Sequence, residues 1–162
     1  MDGVKAAATL AFVGGLALLL AVAVVLLFPA GAPTTPPAAE EEKPAIEITI
    51  IGGEIDGKFA FGIRGEDLSS PGPDIRVKVS ETVKVTFINI GRIPHSFAVV
   101  SEKKFDAPVL FNAAIGSAAR PVQPGEQGTT IFKPNKPGIY NYVCQVPGHI
   151  ELGMYGNLIV EE

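Results

Sequence analysis

The chain has 162 residues, of which 13 are basic and 17 acidic, so its formal net charge is −4. That balance excludes a basic nucleic-acid-binding surface, which needs clustered lysine and arginine. Hydrophobic residues make up 47 % of the chain, too apolar a composition for a disordered protein. A single cysteine excludes an intramolecular disulfide, and two histidines and two methionines leave few residues for metal or acid–base chemistry.

An uncharged apolar run occupies residues 6–28, after a short tail at 1–5. As a helix it would extend for roughly 34 Å, enough to cross a hydrocarbon core of about 30 Å. It is predicted as a retained transmembrane anchor; the alternative is a cleaved signal peptide, whose apolar region is usually about 7–15 residues. Lys5 and Asp2 offset each other, so the positive-inside rule says little about the orientation of this segment. We expect a single-pass protein of the cell membrane, its large C-terminal part on the extracytoplasmic side.

A proline-rich segment at residues 29–44 contains five prolines and three consecutive glutamates. Such a segment cannot bury a core, and it favours extended polyproline conformations. It is predicted as a semi-rigid linker, and a spacer without function is the other interpretation. The folded domain then covers residues 45–162.

This domain is predicted as all-β, because its short apolar segments alternate with polar residues or are rich in β-branched and aromatic types. Turn signals such as Gly52-Gly53 separate the segments. The predicted strands are 45–51, 58–63, 75–79, 82–90, 96–100, 129–132, 138–144 and 155–160. Seven to eight such strands favour a Greek-key β-sandwich or barrel.

Residues 103–128 are the exception to this pattern. A structureless loop of that length is uncommon in a compact domain. Residues 109–119 are rich in alanine, leucine and phenylalanine. A short helix or an irregular flap is therefore predicted there, covering one side of the sandwich.

The residues that can bind a metal fall in two short segments. Cys144, His149 and Met154 have the spacing Cys-x4-His-x4-Met, and His95 precedes the predicted strand 96–100. They would meet if that strand lies near the strand ending at Cys144. A thiolate and two imidazoles in a trigonal arrangement, with a weak axial thioether, form a blue-copper site. The sequence therefore predicts one copper ion, cycling between Cu+ and Cu2+, at these four residues.

Simpler interpretations exist for each residue alone: a turn histidine, a core methionine or a buried apolar thiol. Zinc is the rival metal, since one cysteine and two histidines can form a catalytic zinc site with water in the fourth position. Methionine is a poor zinc ligand, which favours copper. A binuclear copper site would need a second cysteine, and a copper enzyme would need further histidines, so we predict no catalytic residues.

These segments resemble the cupredoxin, or blue copper, family, and within it the rusticyanin and sulfocyanin branch. The resemblance covers roughly residues 74–161 and is strongest at 85–89, 95–97 and 142–156. It implies a cupredoxin fold, electron transfer, and a defined ligand set. The equatorial ligands would be His95, Cys144 and His149, with Met154 axial. Residues 105–128 do not align with that branch, so the electron partner is not carried over.

Three functions follow as hypotheses. The favoured one is a membrane-anchored electron carrier that shuttles single electrons in an extracytoplasmic respiratory chain, with redox partners such as a cytochrome or a terminal oxidase. The alternatives are a copper-trafficking or storage module and an accessory copper-binding subunit of a terminal oxidase. Trafficking modules more often use exposed Met/His-rich or Cys-x-x-Cys ligands, which this chain lacks. We expect a monomeric copper domain with no nucleic-acid partner.

Two further features are predicted around the copper ligands. The Ser96 hydroxyl and the Val146 backbone N–H are expected to donate hydrogen bonds to the Cys144 sulfur and so to stabilise Cu(I). In the cupredoxins that this chain resembles, the loop histidine reaches the surface through an apolar patch, and we expect such a patch to serve as the electron port here. Small, transient redox interfaces suit such a patch. Its residues are His149, Pro147, Ile150 and Leu152, and the alternative is that Ile150 and Leu152 pack inward.

Overall fold

The computed structural model describes residues 43–162. The predicted tail (1–5), the anchor (6–28) and nearly all of the linker (29–44) lie outside the described residues. Within 43–162 the chain forms nine β-strands and no α-helix. Over the same range there is no helix long and apolar enough to cross a membrane.

The strand bounds are β1 Ile46–Ile55, β2 Lys58–Ile63, β3 Ile75–Lys78, β4 Val83–Asn89, β5 Phe97–Val100, β6 Val109–Ile115, β7 Gln127–Phe132, β8 Gly138–Val143 and β9 Tyr155–Glu161. The longest connections between consecutive strands precede β3, β7 and β9, and each has 11 residues. All eight predicted strands are present, and the predicted all-β fold is confirmed.

The nine strands form two sheets. One has the order β2-β1-β4-β7 and the other β3-β9-β8-β5-β6. β1 pairs with β4 in parallel, as does β3 with β9, and the remaining pairs are antiparallel. Alternate residues along β4 and β9 are buried, as expected for strands with one face on a core. Both sheets contribute to that core, through Ile50, Phe61, Val85 and Phe87 from one and Val77, Phe97, Val99, Tyr142 and Leu158 from the other.

The ninth strand, β6, lies where a short helix or a flap was predicted, and that prediction is wrong. β6 pairs with β5, with a register shift between Ala98 and Val100. Phe111 and Asn112 have φ values of 55° and 56°, the left-handed region that interrupts a regular strand. This bulge breaks the two-residue alternation by which a strand is recognised in sequence.

The glycine pair Gly52-Gly53 was predicted as a turn, and this too is wrong. Strand β1 runs through both glycines, and the chain turns at Asp56-Gly57, where φ is 49° and 73°. A Cβ atom on Gly52 would lie 2.6 Å from the Phe87 ring. Glycine is therefore needed inside the strand because a neighbouring side chain approaches the backbone closely.

Strand pairing brings the two metal-binding segments together. β5 and β8 are antiparallel neighbours, with Ala98 opposite Val143. The residues just before β5 therefore lie beside Cys144, which follows β8. His95 is also bridged to Val122 by two backbone hydrogen bonds, of 3.1 and 2.8 Å. The segment between β6 and β7 thus holds the first histidine in place.

Candidate metal centre

Three potential metal ligands converge at one end of the sandwich. The Nδ1 atoms of His95 and His149 are 3.1 Å apart, and the Cys144 Sγ lies 3.4 Å from the His149 Nδ1. All three ligand atoms lie within 4.8 Å of one another. The two ligands His95 and Cys144 are fully buried, and His149 is 5 % exposed.

These separations suit donors that share one ion. First-row metals such as zinc bind nitrogen at about 2.0–2.1 Å and thiolate sulfur at about 2.3 Å, so two donors at a roughly tetrahedral angle lie about 3–3.5 Å apart. The donor types point to copper, because soft thiolate and thioether ligands favour Cu(I) and imidazoles suit copper generally. The residues present therefore fit a copper ion.

Met154 belongs to the same site through its backbone. Its N–H donates to the His149 carbonyl oxygen at 2.9 Å, and its own carbonyl accepts the Cys144 N–H at 3.1 Å. The side chain is fully buried. Gly148 and Gly153 have φ values of 84° and 98°, which supply the tight turns of this loop. One short loop therefore holds three of the four predicted ligands.

The Cys144 sulfur accepts several hydrogen bonds. The Ser96 hydroxyl is 3.7 Å away and the Val146 backbone N–H also donates, so the structure places both predicted donors at the sulfur. The backbone N–H of Ser96, which was not predicted, donates at 3.2 Å. Burial raises the pKa of the Cys144 thiol, and these donors only partly oppose the rise. A bound cation would supply the missing stabilisation of the thiolate.

The two imidazoles have different neighbours that the sequence did not predict. The Nε2 atom of His95 lies 3.3 Å from the Glu54 carboxylate. The ring of His149 stacks on Phe59, with centroids 4.0 Å apart. Burial holds the pKa of His95 below its ordinary value, against the opposing effect of Glu54. Burial, followed by the charge of His95, lowers the pKa of His149 to about 4.

The residues of the predicted electron port differ in their exposure. Pro147 is exposed and Leu152 is 46 % exposed. His149 is almost covered, and Ile150 is only 8 % exposed. The Ile150 side chain packs inward in a separate cluster, so its predicted place in a surface patch is wrong. The other buried members of that cluster are Ala98, Val100, Ala107 and Val143.

Comparison with known proteins bears directly on this site. The model of the copper-binding plastocyanin/azurin family matches residues 58–161, a range that includes all four predicted ligands. The chain belongs to that family. The predicted cupredoxin resemblance is thereby confirmed, and copper is the cofactor, one ion per chain.

Two curated relatives are similar to this cupredoxin. Rusticyanin from Acidithiobacillus ferridurans is 37 % identical over 94 residues, which are 55 % of this chain and 50 % of that protein. The copper-resistant cuproprotein CopI from Rubrivivax gelatinosus is 31 % identical over 94 residues, covering 53 % of this chain and 56 % of that one. The chain thus spans about half the length of the curated relatives it matches.

A solved structure shares the fold. Rusticyanin from Thiobacillus ferrooxidans superposes with a TM-score of 0.56 at 24 % identity, covering 71 % of this chain and 76 % of that one. At that identity the likeness concerns the fold alone. It agrees with the two-sheet architecture described above.

Proposed function

We propose that this cupredoxin is a one-electron carrier rather than an enzyme, with copper bound by His95, Cys144, His149 and Met154. The observation that carries the proposal is the convergence of three buried ligand atoms within 4.8 Å. Copper supplies the Cu+/Cu2+ couple. The four side chains would occupy its coordination positions, which leaves none for a substrate.

The protein's contribution to such a couple is a rigid and dry site. Backbone hydrogen bonds join Cys144, His149 and Met154, so the donors are held before any ion binds. Ligands that do not rearrange between oxidation states keep the reorganisation energy small, which favours fast electron transfer. Hydrogen bonds from Ser96 and Val146 withdraw charge from the thiolate and support Cu(I).

Electrons would enter and leave beside His149, the ligand with measurable exposure. Pro147 and Leu152, two residues before and three residues after His149 in the same loop, are exposed apolar residues. A small apolar contact suits brief docking with redox proteins such as a cytochrome or a terminal oxidase. A carrier of this kind would work as a monomer, with one ion per chain.

The next part of the proposal concerns the N-terminal segment and the location of the protein. Residues 6–28 are apolar and uncharged, which supports a single-pass anchor in the cell membrane with the copper domain on the extracytoplasmic side. A fully extended linker of sixteen residues (29–44) would reach roughly 50 Å. That reach would let the domain move between donor and acceptor in one respiratory membrane. Retention in alkaline-washed membranes, with protease sensitivity from outside, tests both points.

A copper-handling role is the second candidate, favoured by the similarity to CopI. Handling proteins must release copper, whereas the ligands here are buried. Incubating the copper-loaded chain with a Cu(I) chelator separates the two. Rapid loss of copper would favour handling, and retention over hours would favour electron transfer. The third hypothesis, an accessory oxidase subunit, predicts instead stable co-purification with an oxidase.

The decisive experiment is an absorption spectrum of the full-length chain loaded with Cu(II) in detergent. We expect intense visible absorption from thiolate-to-copper charge transfer. Cys144→Ser should abolish it, because the thiolate is the chromophore, whereas Met154→Leu should keep the colour and shift the potential. A colourless Cu(II)-loaded wild type, or the absence of a reversible one-electron wave on voltammetry, would overturn the proposal.

A further inference from the structure

The two nitrogens of the His95 ring face different groups. Nδ1 points to the ligand cluster, 3.1 Å from the Nδ1 of His149. Nε2 lies 3.3 Å from Oε1 of Glu54, the penultimate residue of β1. The His95 side chain is fully buried, whereas the Glu54 side chain is 20 % exposed. The buried ring is therefore in contact with a partly exposed carboxylate.

The Glu54 carboxylate is itself held in place by the loop that precedes His95. It accepts the backbone N–H of Arg92 at 2.9 and 3.1 Å and that of Ile93 at 3.2 Å. A Cβ atom on Gly91 would lie 2.8 Å from both carboxylate oxygens. Only glycine therefore leaves room for the carboxylate at this position.

The loop, in turn, is fixed by Asn89, whose side chain is fully buried. Its amide group donates to the carbonyl oxygens of Ile93 and Val122, at 2.8 and 2.9 Å. Its side-chain oxygen accepts the N–H of Gly91 at 2.9 Å. The cradle around Glu54 thus forms one connected hydrogen-bond network with the backbone on both sides of His95.

The nitrogen on which a metal-binding histidine carries its proton depends on the hydrogen-bond partner of the ring. A neutral imidazole that binds a metal through one nitrogen carries its proton on the other. An acceptor at Nε2 selects the tautomer whose Nδ1 lone pair faces the other ligands. A negatively charged acceptor also makes the ring a stronger electron donor, which favours the more highly charged Cu(II).

We propose that Glu54 is a positioning residue for His95, which fixes the ring and its tautomer and lowers the reduction potential of the copper. The effect on the reduction potential rests on the proposed electron-transfer function. The contact between Glu54 and His95 does not depend on it. It adds to the site a residue 41 positions before the first ligand.

The test compares the potential of the copper-loaded full-length chain with that of Glu54→Gln, which keeps the side-chain shape and removes the charge. We expect a rise of about tenfold in the Cu(I)/Cu(II) ratio at a fixed electrode potential, equivalent to about 59 mV for a one-electron couple. Glu66→Gln and Asp67→Asn are matched controls. Both side chains line the same groove as Glu54, which is the carboxylate of the three that contacts His95. Equal shifts in all three variants would overturn the proposal, since they would reflect charge alone.

A second measurement needs no electron transfer and no variant. In the ¹⁵N-histidine-labelled Cu(I) chain, NMR should show a slowly exchanging Nε2–H proton on His95. Its absence, or protonation at Nδ1, would overturn the proposal even if Glu54→Gln fails to fold. If the proton is present while the chain shows no reversible redox wave, the contact stands and the proposed function fails.

Discussion

Two regions surround the copper site, and they differ in what they contribute. The loop from Cys144 to Met154 carries three of the four ligands. The hairpin of β1 and β2 carries none, yet it contacts both imidazoles, through Glu54 and Phe59. The two regions are joined where the Phe59 N–H donates to the Leu152 carbonyl at 3.1 Å. The loop therefore supplies three of the ligands, and the hairpin supplies side chains that contact both histidine rings.

The largest expected effect comes from overfilling the hairpin side of the site. A Cβ on Gly52 would lie 2.6 Å from the Phe87 ring and 2.9 Å from the Met154 Cε. Gly52→Val should lower the free energy of unfolding by about 1–3 kcal/mol, as overpacking usually does. Because it displaces Met154, it should also alter the visible spectrum of the copper-loaded chain.

Gly128→Ala is the matched control, since its Cβ would meet Ile115 at 2.4 Å rather than a ligand. It should reduce the stability measured by urea unfolding while leaving the spectrum unchanged. A normal spectrum for Gly52→Val, or a changed one for Gly128→Ala, would contradict the role given to the hairpin.

The same contrast explains how much of the site the sequence could predict. Histidine, cysteine and methionine are rare in this chain, so the spacing of Cys144, His149 and Met154 stands out. Period-two alternation was enough to predict eight strands. Neither signal applies to Glu54, since a single glutamate near a turn is common on any surface. Its role depends on a loop 38 residues away.

The end of β1 and the whole of β6 were not predicted, because each contains a local departure from the usual sequence pattern of a strand. Gly52-Gly53 has the composition of a turn, so β1 was predicted to end before Glu54, although close packing is what requires the glycine at Gly52. In β6 the left-handed Phe111 and Asn112 interrupt the alternation. Both departures arise from contacts between elements distant in sequence, which composition and periodicity do not record.

The second prediction concerns the histidine of the loop in the metal-free protein. Burial holds the pKa of His149 at about 4, below its ordinary 6.5. The unfolded chain therefore binds a proton first, and stability is lost as the pH falls from 6.5 towards 4. Between pH 7 and pH 5 the loss should be about 2 kcal/mol in urea unfolding. His95 acts in the same direction.

His149→Gln supplies the control for this pH dependence. The variant cannot take up the proton, so its stability should depend less on pH over the same window. Bound copper should have a similar effect in the wild type, because ligation competes with protonation. An equal slope in wild type and variant would show that the loop histidine is not the group responsible.

A smaller effect is expected at the surface where loop and hairpin meet. Leu152, three residues after His149, is 46 % exposed, so Leu152→Lys should slow electron transfer to a redox protein several-fold without altering the spectrum. Ile139→Lys changes an isoleucine that is 73 % exposed at the opposite end of β8, and it should leave the rate unchanged. Stopped-flow kinetics with cytochrome c measure both. Equal rates in the two variants would place the port elsewhere.

The smallest expected effect is at Ser96, which belongs to neither region and connects the first ligand segment to the loop. Its hydroxyl lies 3.7 Å from the Cys144 sulfur and accepts the Gln145 N–H at 2.8 Å. Ser96→Ala removes both contacts but keeps the stronger backbone N–H donor to the sulfur, at 3.2 Å. Losing one weak donor makes the thiolate a stronger ligand for Cu(II), so the reduction potential should fall slightly. Voltammetry of Ser96→Thr, which keeps a hydroxyl, is the control, and a potential that rises in Ser96→Ala would contradict the assigned bond.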